Sequence, residues 1–295
     1  MKIGMTKLSW VNLSHLRKLG LLLCFIAVVV IVFQHSRGFD ILPEGEIRVH
    51  FIDVGQGESI LVQSRQHSIL IDAGLPAVGS NIVAYLERLG INSLDYVIVT
   101  HPHSDHIGGM PAVLDRFSIN NFWMPNVIHE TTAFERLLEA LERNHIYITT
   151  VEAGARINAG IINMIVVSPH EGVIHTNLND YSIVLYMSHG NISFLFTGDA
   201  EAPAEMQMIA GELPIKANVL NIGHHGSRTS TTEAFLDAVR PQVAVISLGA
   251  NNQFGHPHRY VIERLIERDI KILRTDELGT IVIATDGENL FLYSN

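Results

Sequence analysis

Four potential metal ligands lie within six residues of the sequence, between an apolar run and two glycines. YVIVT (96–100) is followed by HPHSDH (101–106), and Gly108 and Gly109 come soon after. A tight turn at Pro102 lets His101 and His103 point to one side, while the aspartate and histidine at 105–106 face a second point. Imidazole and carboxylate suit zinc, and also manganese or iron. The loop therefore predicts a metal centre at the end of a buried strand.

Short apolar runs alternate with segments of helical spacing through most of the chain. IRVHFIDVG, SILVQS and HSILIDAG predict strands, whereas NIVAYLERLG and TTAFERLLEALERNH predict helices. The last third repeats this alternation, with helices predicted near 200–210, 231–239 and 258–268. No linker interrupts the pattern, so residues 44–295 are expected to form one layered α/β domain.

Two parts of this domain share the order strand, aspartate, helix, strand, histidine. The first unit runs from Asp72 to His101, and the second runs from Asp199 to the pair His224 and His225. The carboxyl ends of strands commonly carry the ligand sites of α/β sheets, so the two units are expected to meet at one edge. Asp199 is then the natural carboxylate to bridge two cations about 3.5–4 Å apart. His225 completes the second cation position.

The N-terminal region predicts a membrane segment. Residues 1–18 are basic, and LGLLLCFIAVVVIVF (19–33) carries no charge. A spanning helix needs roughly 17–25 apolar residues, and flanking side chains extend the run, so residues 19–35 are expected to form an uncleaved signal-anchor. The positive charges before it then keep the N-terminus cytoplasmic and place the main domain outside a single-pass cell-membrane anchor. A cleaved signal peptide, which would make the protein secreted, and a buried helix of a soluble domain are the alternatives.

Cysteine usage and charge limit the chemistry. Cys24, inside the apolar segment, is the only cysteine, so neither a disulfide within the chain nor a thiolate zinc site can form. Residues 1–40 carry five basic residues and one acid, which leaves 15 basic and 29 acidic residues in 41–295. This balance predicts no broad basic surface for nucleic acid. Bound cations would have to attract a polyanionic substrate locally.

Several motifs together resemble one family. The pattern HxHxDH at 101–106 is similar to the signature of the metallo-β-lactamase fold superfamily, which implies a four-layer αββα sandwich with a dinuclear metal site at one edge. Further segments resemble a stand-alone form of the extracellular hydrolase domain of ComEC-like DNA-uptake competence proteins. These are FIDVGQGESILV (51–62), ILIDAG (69–74), NDYSIVL (179–185), FLFTGDAEAPAE (194–205), NIGHHGSRTS (221–230) and NNQFGHPH (251–258).

One position departs from the wider superfamily. Its third motif usually carries a histidine just before a strand, where this chain has Asn179 and Asp180. Asparagine is a weak metal ligand, so the first metal either has fewer protein ligands or recruits Asp180, His224 or water. The NDxS pattern fits the ComEC-like branch, and it weakens any analogy with β-lactam or thioester hydrolysis.

The residues and the resemblance together predict two divalent ions, zinc first and manganese as the alternative. Asp72 is expected to orient ligand histidines without binding a metal itself. It forms the expected catalytic group with Asp105 and His224. Asn179, Ser227 and His256 are expected to bind the substrate, and His224 is also a candidate for protonating the leaving group. The expected metal ligands are His101, His103, Asp105, His106, Asp199 and His225.

The predicted reaction is hydrolysis of a phosphodiester bond by a metal-bound hydroxide, because a metal ion can lower the pKa of water to about 7. The resemblance implies extracellular DNA, single-stranded or double-stranded, as a substrate. The acidic composition favours a small phosphodiester or a single strand over a long duplex. The alternatives are another esterase, such as a phosphocholine esterase or lactonase, and a non-enzymatic membrane-anchored metal-binding protein. No oligomeric state is predicted.

Overall fold

The computed structural model of the protein describes residues 42–293. The basic segment 1–18 and the anchor 19–35 lie outside these residues, so both stay predictions. Within the described range, no helix combines the length and the apolar character needed to cross a bilayer.

Fifteen strands and eight α-helices make up the described part of the chain. The strands are β1 (Ile47–Phe51), β2 (Ile60–Gln63), β3 (Ser68–Ile71), β4 (Ser93–Ile98), β5 (Ser118–Met124), β6 (Ile148–Thr150), β7 (Arg156–Ala159), β8 (Ile162–Ser168), β9 (Val184–His189), β10 (Ile192–Phe196), β11 (Val219–Asn221), β12 (Val243–Ile246), β13 (Lys271–Arg274), β14 (Ile281–Thr285) and β15 (Leu290–Tyr293). The helices are α1 (Gly79–Arg88), α2 (Ser104–Ile107), α3 (Met110–Arg116), α4 (Thr132–Arg143), α5 (Ala202–Ala210), α6 (Glu233–Val239), α7 (Arg259–Glu267) and α8 (Thr275–Leu278).

The strands form two sheets, and each sheet has a parallel half. The first sheet has the order β15-β14-β1-β2-β3-β4-β5-β6, and the second has the order β13-β12-β11-β10-β9-β8-β7. Strands β3 to β6 are parallel to one another, and so are β10 to β13. Parallel neighbours need a crossover connection, which is why helices follow β3, β4, β5, β10, β11 and β12.

Three apolar clusters define the layers. One cluster lies between the two sheets, where Phe51 of β1 meets Phe196 of β10 with ring centroids 6.4 Å apart. A second cluster packs α1, α3 and α4 on the outer face of the first sheet, and a third packs α5, α6 and α7 on the outer face of the second. The order helix, sheet, sheet, helix follows, so the predicted α/β sandwich with two sheets is confirmed.

Both parallel halves end at one edge of the sandwich. In the first sheet, β3 runs into Asp72 and β4 runs into His101; in the second sheet, β10 runs into Asp199 and β11 into the two histidines at 224–225. Asp199 lies within 4 Å of histidines from both units. The two strand–Asp–helix–strand–His units therefore face each other, as their shared pattern predicts.

Candidate metal centre

The loop after β4 is shaped by a short helix and two glycines. Residues Ser104–Ile107 form helix α2, an element that the sequence pattern does not predict. The main-chain N–H groups of His106 and Ile107 donate to the carbonyl of His103, which turns the loop back on itself. A Cβ atom on Gly108 or Gly109 would overlap Pro76 or the carbonyl of Ala73. The glycines therefore allow the loop to sit against the segment that follows β3.

Asp199 is buried at the centre of the site, and its two carboxylate oxygens face different histidines. Its Oδ1 lies 3.3 Å from Nε2 of His106 and 3.6 Å from Nε2 of His225. Its Oδ2 lies 3.6 Å from Nε2 of His101 and 3.8 Å from Nε2 of His224. Each oxygen thus has its own pair of imidazole nitrogens, which defines two adjacent positions around one carboxylate.

Each position gains one more donor from the HxHxDH loop. Nδ1 of His103 lies 2.9 Å from Nε2 of His101, on the Oδ2 side of the centre. Oδ2 of Asp105 lies 3.3 Å from Nε2 of His225, on the Oδ1 side. The loop therefore places His103 at one position and Asp105 at the other, as expected from a tight turn at Pro102.

Asp72 holds the outer ring nitrogen of one histidine directly and that of a second through Thr100. Its Oδ2 lies 2.7 Å from Nδ1 of His106 and accepts a 2.6 Å hydrogen bond from Oγ1 of Thr100. The same hydroxyl lies 3.1 Å from Nδ1 of His101. These contacts leave Nε2 of both imidazoles directed at Asp199, because the outer nitrogen sets the ring orientation.

The two histidines of the second unit are held in the same manner. Nδ1 of His225 donates to the carbonyl of Ser247 at 2.8 Å, and Nδ1 of His224 lies 2.9 Å from Oε1 of Glu201. Both histidines adopt left-handed backbone conformations, with φ of 54° for His225 and 49° for His224. Such conformations are costly for residues other than glycine. The surrounding contacts keep both rings turned toward Asp199 despite that cost.

The buried charges of the centre perturb one another. Burial disfavours the ionised form of Asp199, but His106, His225 and His101 outweigh burial and hold its pKa well below the usual range. Burial likewise opposes a charged His225, yet Asp199 and Asp105 raise its pKa to about 9. Burial, and after it the neighbouring His106, lower the pKa of His101 well below its ordinary value. The site thus keeps an ionised Asp199 beside one imidazole whose pKa is raised, that of His225, and one whose pKa is lowered, that of His101.

The donor atoms fit a divalent metal. Nε2 of His106, Nε2 of His225 and Oδ1 of Asp199 are buried without a hydrogen-bond partner among the described residues. His101, His106 and Asp199 present ligand atoms within 4.8 Å of one another, and so do Asp105, His106 and His225. Buried polar atoms without partners are costly unless something binds them. Imidazole and carboxylate donors are the ligands that zinc and manganese take, so these groups could hold metal.

The residues expected to bind substrate lie around the His224 side. Nδ2 of Asn179 lies 3.2 Å from Oε1 of Glu201, and Asn179 is buried. Oγ of Ser227 lies 2.8 Å from Oγ1 of Thr229, within its own loop. The ring of His256 lies 5.5 Å from that of His224. The structure therefore places Asn179 and His256 close to His224 and leaves Ser227 in the loop that follows it. Contact of all three with a substrate stays a prediction.

The side chain of Asp180 binds the N-terminus of helix α5. Its Oδ1 accepts hydrogen bonds from the main-chain N–H groups of Glu201 and Ala204, at the start of helix α5. Negative charge at a helix N-terminus is stabilising. Asp180 therefore caps this helix, and it belongs to none of the groups of potential metal ligands found among residues 42–293.

Two acidic residues of the site were missed by the sequence reasoning. Glu58 is buried, accepts a 2.8 Å hydrogen bond from Asn221, and lies with Asp72 and His106 within 4.8 Å. Burial raises its pKa to about 7. Glu201 is the second. Both lie in the family-like motifs at 51–62 and 194–205, and an acid beside the apolar run SILV was the available signal for Glu58.

Comparisons with known proteins agree with this geometry. Residues 52–250 match the family model of the metallo-beta-lactamase superfamily. The chain is 32% identical to ComE operon protein 3 of Bacillus subtilis over 288 residues, which cover 92% of this chain and 36% of that protein. It is 34% identical to Recombination protein 2 of Haemophilus influenzae, covering 84% of this chain and 30% of that protein. The chain thus spans about a third of the length of these curated relatives.

A solved structure shares the fold. The metallo-beta-lactamase fold protein YhfI from Bacillus subtilis superposes with a TM-score of 0.56 at 15% identity, covering 81% of this chain and 99% of that one. The predicted similarity to ComEC-like competence proteins is confirmed by the two curated relatives. With the HxHxDH loop, the paired sheets and a family match over most of the described residues, the chain belongs to the metallo-beta-lactamase superfamily.

Proposed function

We propose that the protein is a hydrolase that uses two divalent metal ions to cleave phosphodiester bonds. The observation that carries this proposal is the arrangement around Asp199, whose two oxygens each face a separate pair of imidazole nitrogens. Two-metal sites suit phosphoryl transfer because they stabilise both the attacking and the leaving oxygen. Ions bound here would supply Lewis-acid chemistry and lower the pKa of water toward neutrality.

The donor set divides into two unequal positions. His101, His103 and Oδ2 of Asp199 belong to the first, and the second combines His106, His225, Asp105 and Oδ1 of Asp199. Nitrogen donors dominate the first position, which favours zinc. The second position has as many carboxylate as imidazole donors, and it is the one that manganese would enter more readily.

His224 supplies the donor that the third motif lacks. Its Nε2 faces the same oxygen of Asp199 as His101 does, at 3.8 Å and 3.6 Å. Glu201 holds its Nδ1, and Asn179 contacts the same carboxylate oxygen. The asparagine that replaces the usual histidine thus supports a ligand that comes from another strand end. We assign His224 to the first metal position, in place of the leaving-group role expected from the sequence.

The remaining polar groups orient ligands and handle substrate. Asp72 keeps the imidazoles of His101 and His106 directed inward through its contacts with Thr100 and Nδ1 of His106. Burial and the nearby His224 and His225 lower the pKa of His256 to about 4, so its imidazole is neutral at neutral pH. A neutral imidazole can both donate and accept a hydrogen bond, which suits contact with a substrate oxygen.

Similarity to competence proteins supports a nucleic-acid phosphodiester as substrate. The excess of acidic residues in 41–295 supports a single strand or a small phosphodiester over a long duplex. The same similarity and the apolar segment 19–33 support placement of this domain outside the cell membrane. A reporter at the N-terminus and protease treatment of intact cells test that placement.

The activity test uses the full chain loaded with zinc or with manganese. We expect hydrolysis of bis-p-nitrophenyl phosphate and of labelled single-stranded DNA, loss of both on chelation, and loss of both in Asp199→Asn. p-Nitrophenyl acetate and a lactone serve as ester controls. Rapid cleavage of the esters without cleavage of the phosphodiesters would indicate an esterase and not a phosphodiesterase. Full activity without metal would refute a metal-dependent reaction of either kind.

A further inference from the structure

The motif NNQFGHPH (251–258) forms a rigid loop beside the metal centre. The side chain of Asn252 bonds to four main-chain groups: it donates to the carbonyls of Gly249 and His256 and accepts from the N–H groups of Phe254 and His256. Each of these bonds closes the loop on itself. The main-chain conformation at Phe254 is therefore set by hydrogen bonds within the loop.

The same loop is fixed to the loop that carries His224 and His225. The N–H of His258 donates to the carbonyl of Gly226 at 2.9 Å, and the N–H of Arg228 donates to Nδ1 of His258 at 3.0 Å. A Cβ on Gly226 would come within 2.7 Å of Cβ of Pro257. This close approach couples the position of Phe254 to that of the metal ligands.

A line of rings leads from the centre to solvent. The ring of His256 lies 6.4 Å from that of His225 at an interplanar angle of 32°. Phe254 follows, with its centroid 5.7 Å from His256 and an angle of 26°. Phe254 is 52% exposed at the outer end of this line. A fixed, half-exposed aromatic ring that is nearly parallel to its inner neighbour offers one face for a further flat group.

The adjoining loop carries an exposed cation. Arg228 is exposed, and its guanidinium takes part in none of the ion pairs between residues 42 and 293. Its main chain contacts His258, whose ring lies 4.9 Å from that of His256. An exposed aromatic ring and a cation on the adjoining loop are the two features with which proteins bind unpaired nucleotides, namely base stacking and phosphate contact.

We propose that Phe254 is a stacking platform for a nucleobase of single-stranded nucleic acid whose neighbouring phosphate lies at the metal centre. This inference rests on the proposed phosphodiesterase function and narrows its substrate to an unpaired strand. A base in a duplex is stacked and paired, so its face is not available to Phe254. Arg228 would contact the phosphate of the stacked nucleotide.

The test compares two strands of equal length, one with all bases and one built of abasic residues. We expect Phe254→Ala to raise KM for the normal strand about tenfold and to leave KM for the abasic strand unchanged. The kcat and the bound metal should stay at wild-type levels on both. Phe254→Trp should restore the normal KM. Tyr147→Ala is the matched control, because Tyr147 is an exposed aromatic on a different loop.

A spectroscopic signature accompanies the kinetics. A phosphorothioate strand that carries 2-aminopurine should lose fluorescence on binding to the wild-type protein, and much less on binding to Phe254→Ala. If Phe254→Ala raises KM equally for the normal and the abasic strand, or if the wild-type and variant proteins quench 2-aminopurine equally, Phe254 is not a stacking platform. The proposed phosphodiesterase activity would not be affected by that result. Failure of the wild-type protein to cleave either strand or bis-p-nitrophenyl phosphate would instead refute the proposed function itself.

Discussion

Replacement of Glu201 with glutamine tests whether His224 belongs to the first metal position. Oε1 of Glu201 lies 2.9 Å from Nδ1 of His224, and it also accepts from Thr229 at 2.8 Å and from Asn179 at 3.2 Å. Because these donors outweigh the effect of burial, the pKa of Glu201 is lowered and the group is ionised. Glutamine keeps the size of the side chain but removes the charge that fixes the ring.

The expected loss follows from the kind of contact. A hydrogen bond to a charged group contributes roughly 1.5–3 kcal/mol. Loss of a partner that orients a metal-bound imidazole typically costs about 10–100-fold in metal affinity, which corresponds to about 1.4–2.7 kcal/mol. Only the first position should be affected, since the outer nitrogens of His106 and His225 have other partners, Asp72 and Ser247.

Metal titration against a competing chelator, read out as metal bound per chain, measures both affinities. We expect Glu201→Gln to lower the affinity for one of the two ions by about 10–100-fold and to leave the affinity for the other unchanged. His224→Ala should weaken the same ion further, because it removes the donor itself. Glu212→Gln is the matched control, since Glu212 is exposed on the loop after α5. Equal weakening of both ions, or no change in either, would show that His224 is not a ligand.

Three other substitutions probe the rest of the molecule. Asp199→Asn should lower the affinity for both ions and abolish turnover, because each oxygen serves one position; retention of two ions in metal analysis would contradict the bridging role. Asp72→Asn should cost about 10–100-fold in metal affinity or activity, and isothermal titration should show a smaller loss than for Asp199→Asn. His50 is buried, with Nδ1 2.8 Å from the Tyr85 hydroxyl, and burial lowers its pKa from 6.5 to about 3. Below pH 6.5 the unfolded chain therefore binds a proton that the folded chain does not, so this group makes stability fall with decreasing pH by about 1.4 kcal/mol per unit. In urea unfolding between pH 6.5 and 4, the slope of the unfolding free energy against pH should be smaller in His50→Asn by about 1.4 kcal/mol per unit, the slope that one proton gives. A slope that does not change would refute the assignment.

Local sequence patterns were sufficient to predict the fold class and half of the metal centre. The HxHxDH loop places four donors within six residues, so the chain brings them together whatever the remaining topology. Strand and helix periodicity predicted the two strand–Asp–helix–strand–His units, because a buried strand or an amphipathic helix leaves its period in the sequence. Strand β7 was not predicted, since its sequence RINA (156–159) alternates buried and exposed residues over only four positions.

Only the tertiary structure decided which histidine faces which oxygen of Asp199. The role of His224 depends on Glu201, 23 residues away in sequence, and Glu58 accepts its hydrogen bond from Asn221, 163 residues away. Neither contact leaves a periodic signal, because each depends on how the two sheets stack and which strand ends share an edge. The sequence by itself determined that a metal centre should form at the end of β4. The packing of the second sheet against the first determined how that centre is completed, since separate strand ends become neighbours only when both sheets share one core.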